Sequence, residues 1–137
     1  MEQPLAGPIL FVSPVRQDQA ALRRIVRRAH RAIPAASCRQ ALKRLDQGEV
    51  SVVLCDRDLP DGSWRDILHR IVDSAKPPLL IVTSRLADER LWAEVLNLGG
   101  FDVISKPFHS SEVLHVLETA CGHRQSPARS SHFAGGA

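Results

Sequence analysis

No apolar stretch in this sequence approaches the roughly 20 residues a helix needs to cross a bilayer. Membrane-spanning helical proteins are therefore not the class to expect. The N-terminus, Met1-Glu2-Gln3-Pro4, carries an acid and no basic stretch, so nothing in it reads as a signal peptide. The expected compartment is the cytoplasm. Cysteine is scarce and scattered: Cys38, Cys55 and Cys121 show no CxxC and no Cys/His ligand spacing. That argues against both a zinc site and a disulfide framework. Cys55, inside an apolar run, reads as a small buried hydrophobe. No internal repeat is found. No glycine-rich phosphate loop follows the first apolar run, which argues against a flavin- or nucleotide-binding domain. The net charge of +3 is mild, and no aromatic residues interleave the arginines of 23–31, so nucleic acid is not the expected partner.

What remains is an ordinary globular composition, 44% apolar and 24% charged, in 137 residues. That length suits one domain with a real core and is too short for two. Short apolar runs alternate with segments of helical spacing. Pro8 to Ser13 reads as a buried strand stopped by Pro14. Leu22, Ile25, Val26 and Ala29 mark a first helix over about Arg16 to His30. Ile33 to Ser37 is a weaker strand, and Pro34 puts it at an edge. Ala41, Leu42 and Leu45 mark a second helix that Gly48 ends. Val50 to Cys55 is the clearest strand, and Asp56 follows it. Leu59-Pro60-Asp61-Gly62 is turn chemistry, and Ser63 caps a third helix carrying Trp64, Ile67, Leu68, Ile71 and Val72. Leu79 to Thr83 is a fourth strand. Leu91, Trp92, Val95 and Leu96 mark a fourth helix closed by Gly99-Gly100. Phe101 to Ser105 is a fifth strand, and Val113 to Ala120 lie on a fifth helix. Residues 122–137, rich in small and polar types, are expected to be a disordered tail, leaving a domain over residues 1–121.

Five strands alternating with five helices imply an α/β fold: a five-stranded parallel sheet, doubly wound, with helices on both faces. In such sheets the chemistry sits at the carboxyl ends of the strands. Those ends carry Ser13, Pro14, Asp56, Thr83 and Lys106. A carboxylate, a hydroxyl and an ammonium would converge there. A carboxylate can accept a phosphoryl group as an acyl phosphate, and a lysine and a hydroxyl beside it can stabilise the charge on the transferring oxygens.

Over roughly residues 7–121 the chain resembles the receiver domains of two-component response regulators, which have a flavodoxin-like (βα)5 fold. Three motifs carry the resemblance, each after the expected strand: Asp56 to Asp61 with its Leu-Pro turn, Thr83-Ser84, and Lys106-Pro107-Phe108. The resemblance implies that Asp56 is the phosphoacceptor, that Thr83 bonds a phosphoryl oxygen and moves on activation, and that Lys106 pairs with the carboxylate or phosphoryl group. It implies a cis Lys106-Pro107 bond. It also implies Mg2+, bound by Asp56 and the backbone carbonyl of Asp58. The implied partners are a histidine kinase or phosphotransfer protein, met by the first helix, and a downstream protein or second copy, met by the fourth helix, fifth strand and fifth helix. The function implied is phosphorelay signalling without enzyme activity. The alternative is an interaction module independent of phosphorylation.

The chain departs from the family pattern at two places. Ser13-Pro14 stands where receivers carry two acidic residues that help hold magnesium. A hydroxyl and a proline replace hard carboxylate ligands, so metal binding should weaken, and Lys106, without those competitors, should form a standing pair with Asp56. Val103 stands where receivers often place Tyr or Phe; Phe101, two residues earlier, should share its face. Asp58 and Arg85 could pair across the pocket mouth. Arg23, Arg27 and Arg31 should share one face of the first helix, suited to an acidic partner, and Trp92 should lie in the core. A metal-dependent phosphodiesterase using Asp56 and Asp58 would need a further acid where Ser13 and Pro14 stand. No output domain fits after the fifth helix, so output would go through protein contacts or through domains outside this chain.

Overall fold

Ile9-Leu10-Phe11-Val12 is apolar at every position, the signature of a strand buried on both faces. In the computed structural model, which describes residues 8–125, it forms β1 (Ile9–Val12) near the middle of one sheet. The others are β2 (Ala32–Ala35), β3 (Val52–Asp56), β4 (Leu79–Ser84) and β5 (Asp102–Ser105). All pair in parallel, in the order β2-β1-β3-β4-β5. β2, with Pro34, is an edge strand as its proline requires. A two-residue ladder, Asp58-Leu59 against Gly62-Ser63, closes the turn after β3.

Five helices alternate with the strands: α1 (Arg16–Val26), α2 (Cys38–Asp46), α3 (Trp64–Ile71), α4 (Glu89–Leu98) and α5 (Ser110–Gln125). Local chemistry sets their ends. Ser63 and Asp66 form a capping box on α3. Asp88 caps α4 by accepting from Leu91 N at 2.9 Å. Gly99, at φ 110°, ends α4 in a left-handed conformation that suits glycine.

Strand alternation sorts the core into two layers. Leu10, Val12, Val53, Cys55, Leu80 and Val82 pack with residues of α2, α3 and α4. Ile9, Phe11, Val52, Leu54, Ile81 and Ile104 pack with Leu22 and Val26 of α1 and Val113 and Leu117 of α5. Each fully buried large side chain contributes about 1.5–3 kcal/mol.

Four expectations change. α1 stops at Val26, and Arg31 lies in the link to β2, its carbonyl accepting from Ile9 N at 2.8 Å. A connection of five residues needs that turn, so Arg31 does not share a helix face with Arg23 and Arg27. Trp92 is 47% exposed; α4 buries Leu91 and Val95 instead, and position 92 lies off that stripe. Phe101 precedes β5 and packs in the α1–α5 layer, whereas Val103 packs in the opposite layer, so alternation does not carry across the strand's start. α5 continues to Gln125, past residue 121. Residues 126–137, where the rest of the expected tail falls, lie outside the described residues.

Candidate functional site

Parity places the site. Ser13 follows Ile9 and Phe11, Asp56 follows Val52 and Leu54, Thr83 follows Ile81, and Lys106 follows Ile104. All four are thus in phase with the α1–α5 layer. Asp56 is the last residue of β3 and pairs in register with Thr83 of β4. The Lys106-Pro107 peptide is cis. Phe108 packs edge-on to Phe11 with ring centroids 5.9 Å apart, which ties the loop carrying Lys106 to β1.

The carboxylate of Asp56 is buried, and both of its oxygens have donors. Its Oδ1 accepts from Thr83 Oγ1 at 2.5 Å and lies 2.9 Å from Lys106 Nζ. Its Oδ2 accepts from Ser13 Oγ at 2.7 Å. The backbone around it is pinned too: Arg57 N donates to Thr83 O and Lys106 N to Ser84 O, both at 3.0 Å. The structure therefore brings Asp56, Thr83 and Lys106 together, with Ser13 as a fourth member. Asp58 is exposed on the short ladder. No ion pair joins Asp58 to Arg85 among the described residues; both face solvent.

Lys106 stands against Asp56 with no acid at positions 13 and 14, but a different carboxylate shares it. Asp18, in the first turn of α1, lies 2.5 Å from Lys106 Nζ through its Oδ2. Asp18, Leu22 and Val26 recur at helical spacing, and the latter two are buried. That stripe, together with the parity of the strand ends, was the sequence signal for Asp18. Gln19 was also missed. Its Nε2 lies 3.1 Å from each of the Phe11, Ser13 and Ala35 carbonyls, so one amide clamps the ends of β1 and β2.

The loop after Asp56 is held from α2. Asp61 accepts from Cys38 N at 2.7 Å and from Arg39 N at 3.1 Å. Those two bonds hold its carboxyl below the usual carboxylate range. Cys38 is pushed up to about 11 by burial and then by the Asp61 and Asp66 carboxylates. Burial, with Asp56 and then Cys38 beside it, pushes the Cys55 thiol up as well. Both stay protonated at neutral pH and are poor nucleophiles.

The magnesium implied by the resemblance finds a poor donor set. Ser13 commits its proton to Asp56, Pro14 offers no side-chain ligand, and an ammonium stands against Asp56. No group of three His, Cys, Asp or Glu suited to a metal occurs among the described residues.

Comparison with known proteins gives one consistent family. The model of the response regulator receiver domain matches residues 9–118. The transcriptional regulatory protein CutR of Streptomyces coelicolor is 33% identical over 86 residues, which cover 63% of this chain and 39% of that protein. The hydrogenase transcriptional regulatory protein HoxA of Bradyrhizobium diazoefficiens is 26% identical over 117 residues, 85% of this chain and 24% of that protein. The chain thus spans well under half the length of these relatives. Among solved structures, the signal receiver domain of an HD domain-containing protein from Pseudomonas fluorescens Pf-5 superposes with a TM-score of 0.81 at 24% identity, covering 95% of this chain and 96% of that one. A CheY-like receiver domain from Methanospirillum hungatei JF-1 gives 0.79 at 18% identity, covering 88% and 98%. The fold is theirs, and the chain belongs to the response regulator receiver domain family of two-component systems.

Proposed function

We propose that Asp56 is the phosphoacceptor of this receiver domain, with Thr83 and Lys106 as the groups that stabilise the transferred phosphoryl. The observation that carries the reading is the Asp56 carboxylate at the end of β3 with Thr83 Oγ1 and Lys106 Nζ on the same oxygen. In the step, a carboxylate oxygen attacks phosphorus and a mixed anhydride forms. The P–N bond of a phosphohistidine, or the P–O bond of a small acyl phosphate, breaks. The leaving group departs with the electron pair: the histidine nitrogen takes up a proton as the P–N bond breaks, whereas the carboxylate of an acyl phosphate leaves as the anion. Ser13 donates to Oδ2 and so damps that oxygen as a nucleophile; rotation of its hydroxyl frees a lone pair. Thr83 and Lys106 then turn to the phosphoryl oxygens, where their donors offset the charge of transfer.

Receiver domains generally bind Mg2+ for this step and interact with histidine kinases and phosphotransfer proteins. The phosphodonor proposed here is one of those proteins. α1 supports such docking by leaving Arg16, Arg23, Arg24, Arg27 and Arg28 exposed around the helix and its end. Output is proposed to pass through α4, β5 and α5 to a downstream protein or a second copy, in a cytoplasmic signalling role without turnover of a separate substrate. No helix among the described residues is long and apolar enough to cross a membrane.

The test is an intact-mass measurement after incubation with an acyl phosphate or phosphoramidate donor, with and without Mg2+. One phosphoryl increment is expected, and Asp56→Asn abolishes it. If no donor or kinase yields an adduct, the reading fails and a phosphorylation-independent interaction module takes its place.

A further inference from the structure

Lys106 Nζ sits between two carboxylates, 2.5 Å from Asp18 Oδ2 and 2.9 Å from Asp56 Oδ1. The three side chains are nearly closed off from water, at 7%, 14% and 9% exposure for Lys106, Asp18 and Asp56. A carboxylate that far out of water needs compensating charge or donors. The remaining donors are already committed. Ser13 Oγ gives its proton to Asp56 Oδ2 and accepts from Val15 N at 3.1 Å. Asp56 Oδ1 carries both Thr83 and Lys106. A hard divalent ion needs oxygen lone pairs aimed at it from several sides, in near-octahedral array for Mg2+. Here the inward lone pairs of Asp56 face O–H and N–H donors, and the gap between the two acids holds an ammonium.

We propose that Lys106 is the resident cation of this site, fixed by Asp18, and that the site takes no divalent ion while that pairing stands. Asp18 is then a positioning residue. It acts on Asp56 through the lysine it shares, and its carboxylate replaces neither of the two acids missing at Ser13 and Pro14. An ammonium on a tether cannot be chelated away, so the fold and the held geometry of Asp56 are indifferent to EDTA. The proposal builds on the reading of Asp56 as phosphoacceptor, but its test does not use phosphoryl transfer.

The test is a Mn2+ and Mg2+ titration of the full 137-residue chain, followed by paramagnetic broadening of backbone amides and by calorimetry. In the wild type, the amides of Ser13, Arg57 and Thr83 stay sharp up to low-millimolar metal. Lys106→Met removes the ammonium and leaves Asp18 and Asp56 facing one gap, so those amides broaden and metal affinity rises at least about tenfold. Adding Asp18→Asn to Lys106→Met removes the gain. Lys106→Gln serves if the methionine variant fails to fold, as judged from its amide spectrum. A separate readout is the Lys106 ammonium proton resonance, slowed in exchange by two carboxylates: Asp18→Asn abolishes it and Asp18→Glu restores it. Site-specific broadening in the wild type overturns the proposal. So does a folded Lys106 variant that gains no metal, or an ammonium signal unchanged by Asp18→Asn. Loss of the adduct in the mass experiment, with these results intact, would sink only the phosphoacceptor reading.

Discussion

On the α1 side of the sheet the site is stitched to its neighbours, and on the α4 side it is not. α1 sends Asp18 to Lys106 and Gln19 to three carbonyls at the ends of β1 and β2. α4 sends nothing comparable to Asp56. Between its N-terminal turn and β5 lies a cleft of about 270 Å³, lined by Asp88, Glu89, Trp92, Val103, Ser105 and Glu112. Trp92 and Leu86 stand exposed near it. One helix is thus tied to the chemistry and the other is left uncommitted. In a two-state device, the uncommitted element is the one that can change position at low cost.

If α1 is a structural strut, damage there should be expensive. Leu22 is buried in the layer that also carries the phase of the site residues. Leu22→Ala is expected to cost about 2–5 kcal/mol of folding stability. Denaturant unfolding reads it directly, and a loss below about 1 kcal/mol would mean that α1 is not held as described. Gln19→Ala comes next. It removes two N–H donors from three carbonyls at the ends of β1 and β2, and should cost about 1–3 kcal/mol. Because Gln19 adjoins Asp18, the amide spectrum should also shift at Ser13 and Asp56; an unchanged spectrum would separate the clamp from the site.

The contrast between the two sides was only half legible in the sequence. Continuous apolar runs such as Val52 to Cys55, short and bounded by breakers, read as buried strands, and they placed Asp56, Thr83 and Lys106 at one edge. Asp18 was legible in principle through the Asp18, Leu22, Val26 stripe, but an acidic residue in a first helical turn reads first as a favourable partner of the helix dipole. Trp92 misled for the opposite reason. A large aromatic in an apolar-periodic helix reads as core, yet the stripe that α4 buries runs through Leu91 and Val95. Phe101 misled because alternation was extended to a residue that precedes the strand.

Titration should distinguish the regions with smaller effects. His30, beyond the end of α1, has its pKa lowered from 6.5 by burial, opposed by the Glu118 carboxylate on α5. Its Nδ1 is buried without a hydrogen-bond partner. As pH falls below 6.5 the unfolded chain binds that proton before the folded one, so stability falls. Asp61, on the α2 side, has its folded pKa depressed from 3.8. Its contribution is present above 3.8 and is lost as pH falls through the depressed value. Unfolding midpoints followed from neutral pH into acid should therefore show an early decline that His30→Gln flattens and a late one that Asp61→Asn flattens. An unchanged early slope in His30→Gln would remove His30 as its source.

The smallest effect on stability is expected at Trp92, and it bears most on what the open side is for. The indole is half in solvent, and the higher helix propensity of alanine offsets part of the burial it does have, so Trp92→Ala should change folding stability by no more than about 1 kcal/mol. A surface tryptophan beside an apolar Val103 and ringed by Asp88, Glu89 and Glu112 is nonetheless the kind of group that anchors a partner. Under the proposed output through α4, β5 and α5, the same substitution should weaken association with the downstream protein, or self-association, by about 2 kcal/mol or more. Near-equal stability with lost association would mean that α1 holds the site and α4 reads it. Near-equal stability with unchanged association would place the output face elsewhere and leave the exposed Trp92 without a part in it.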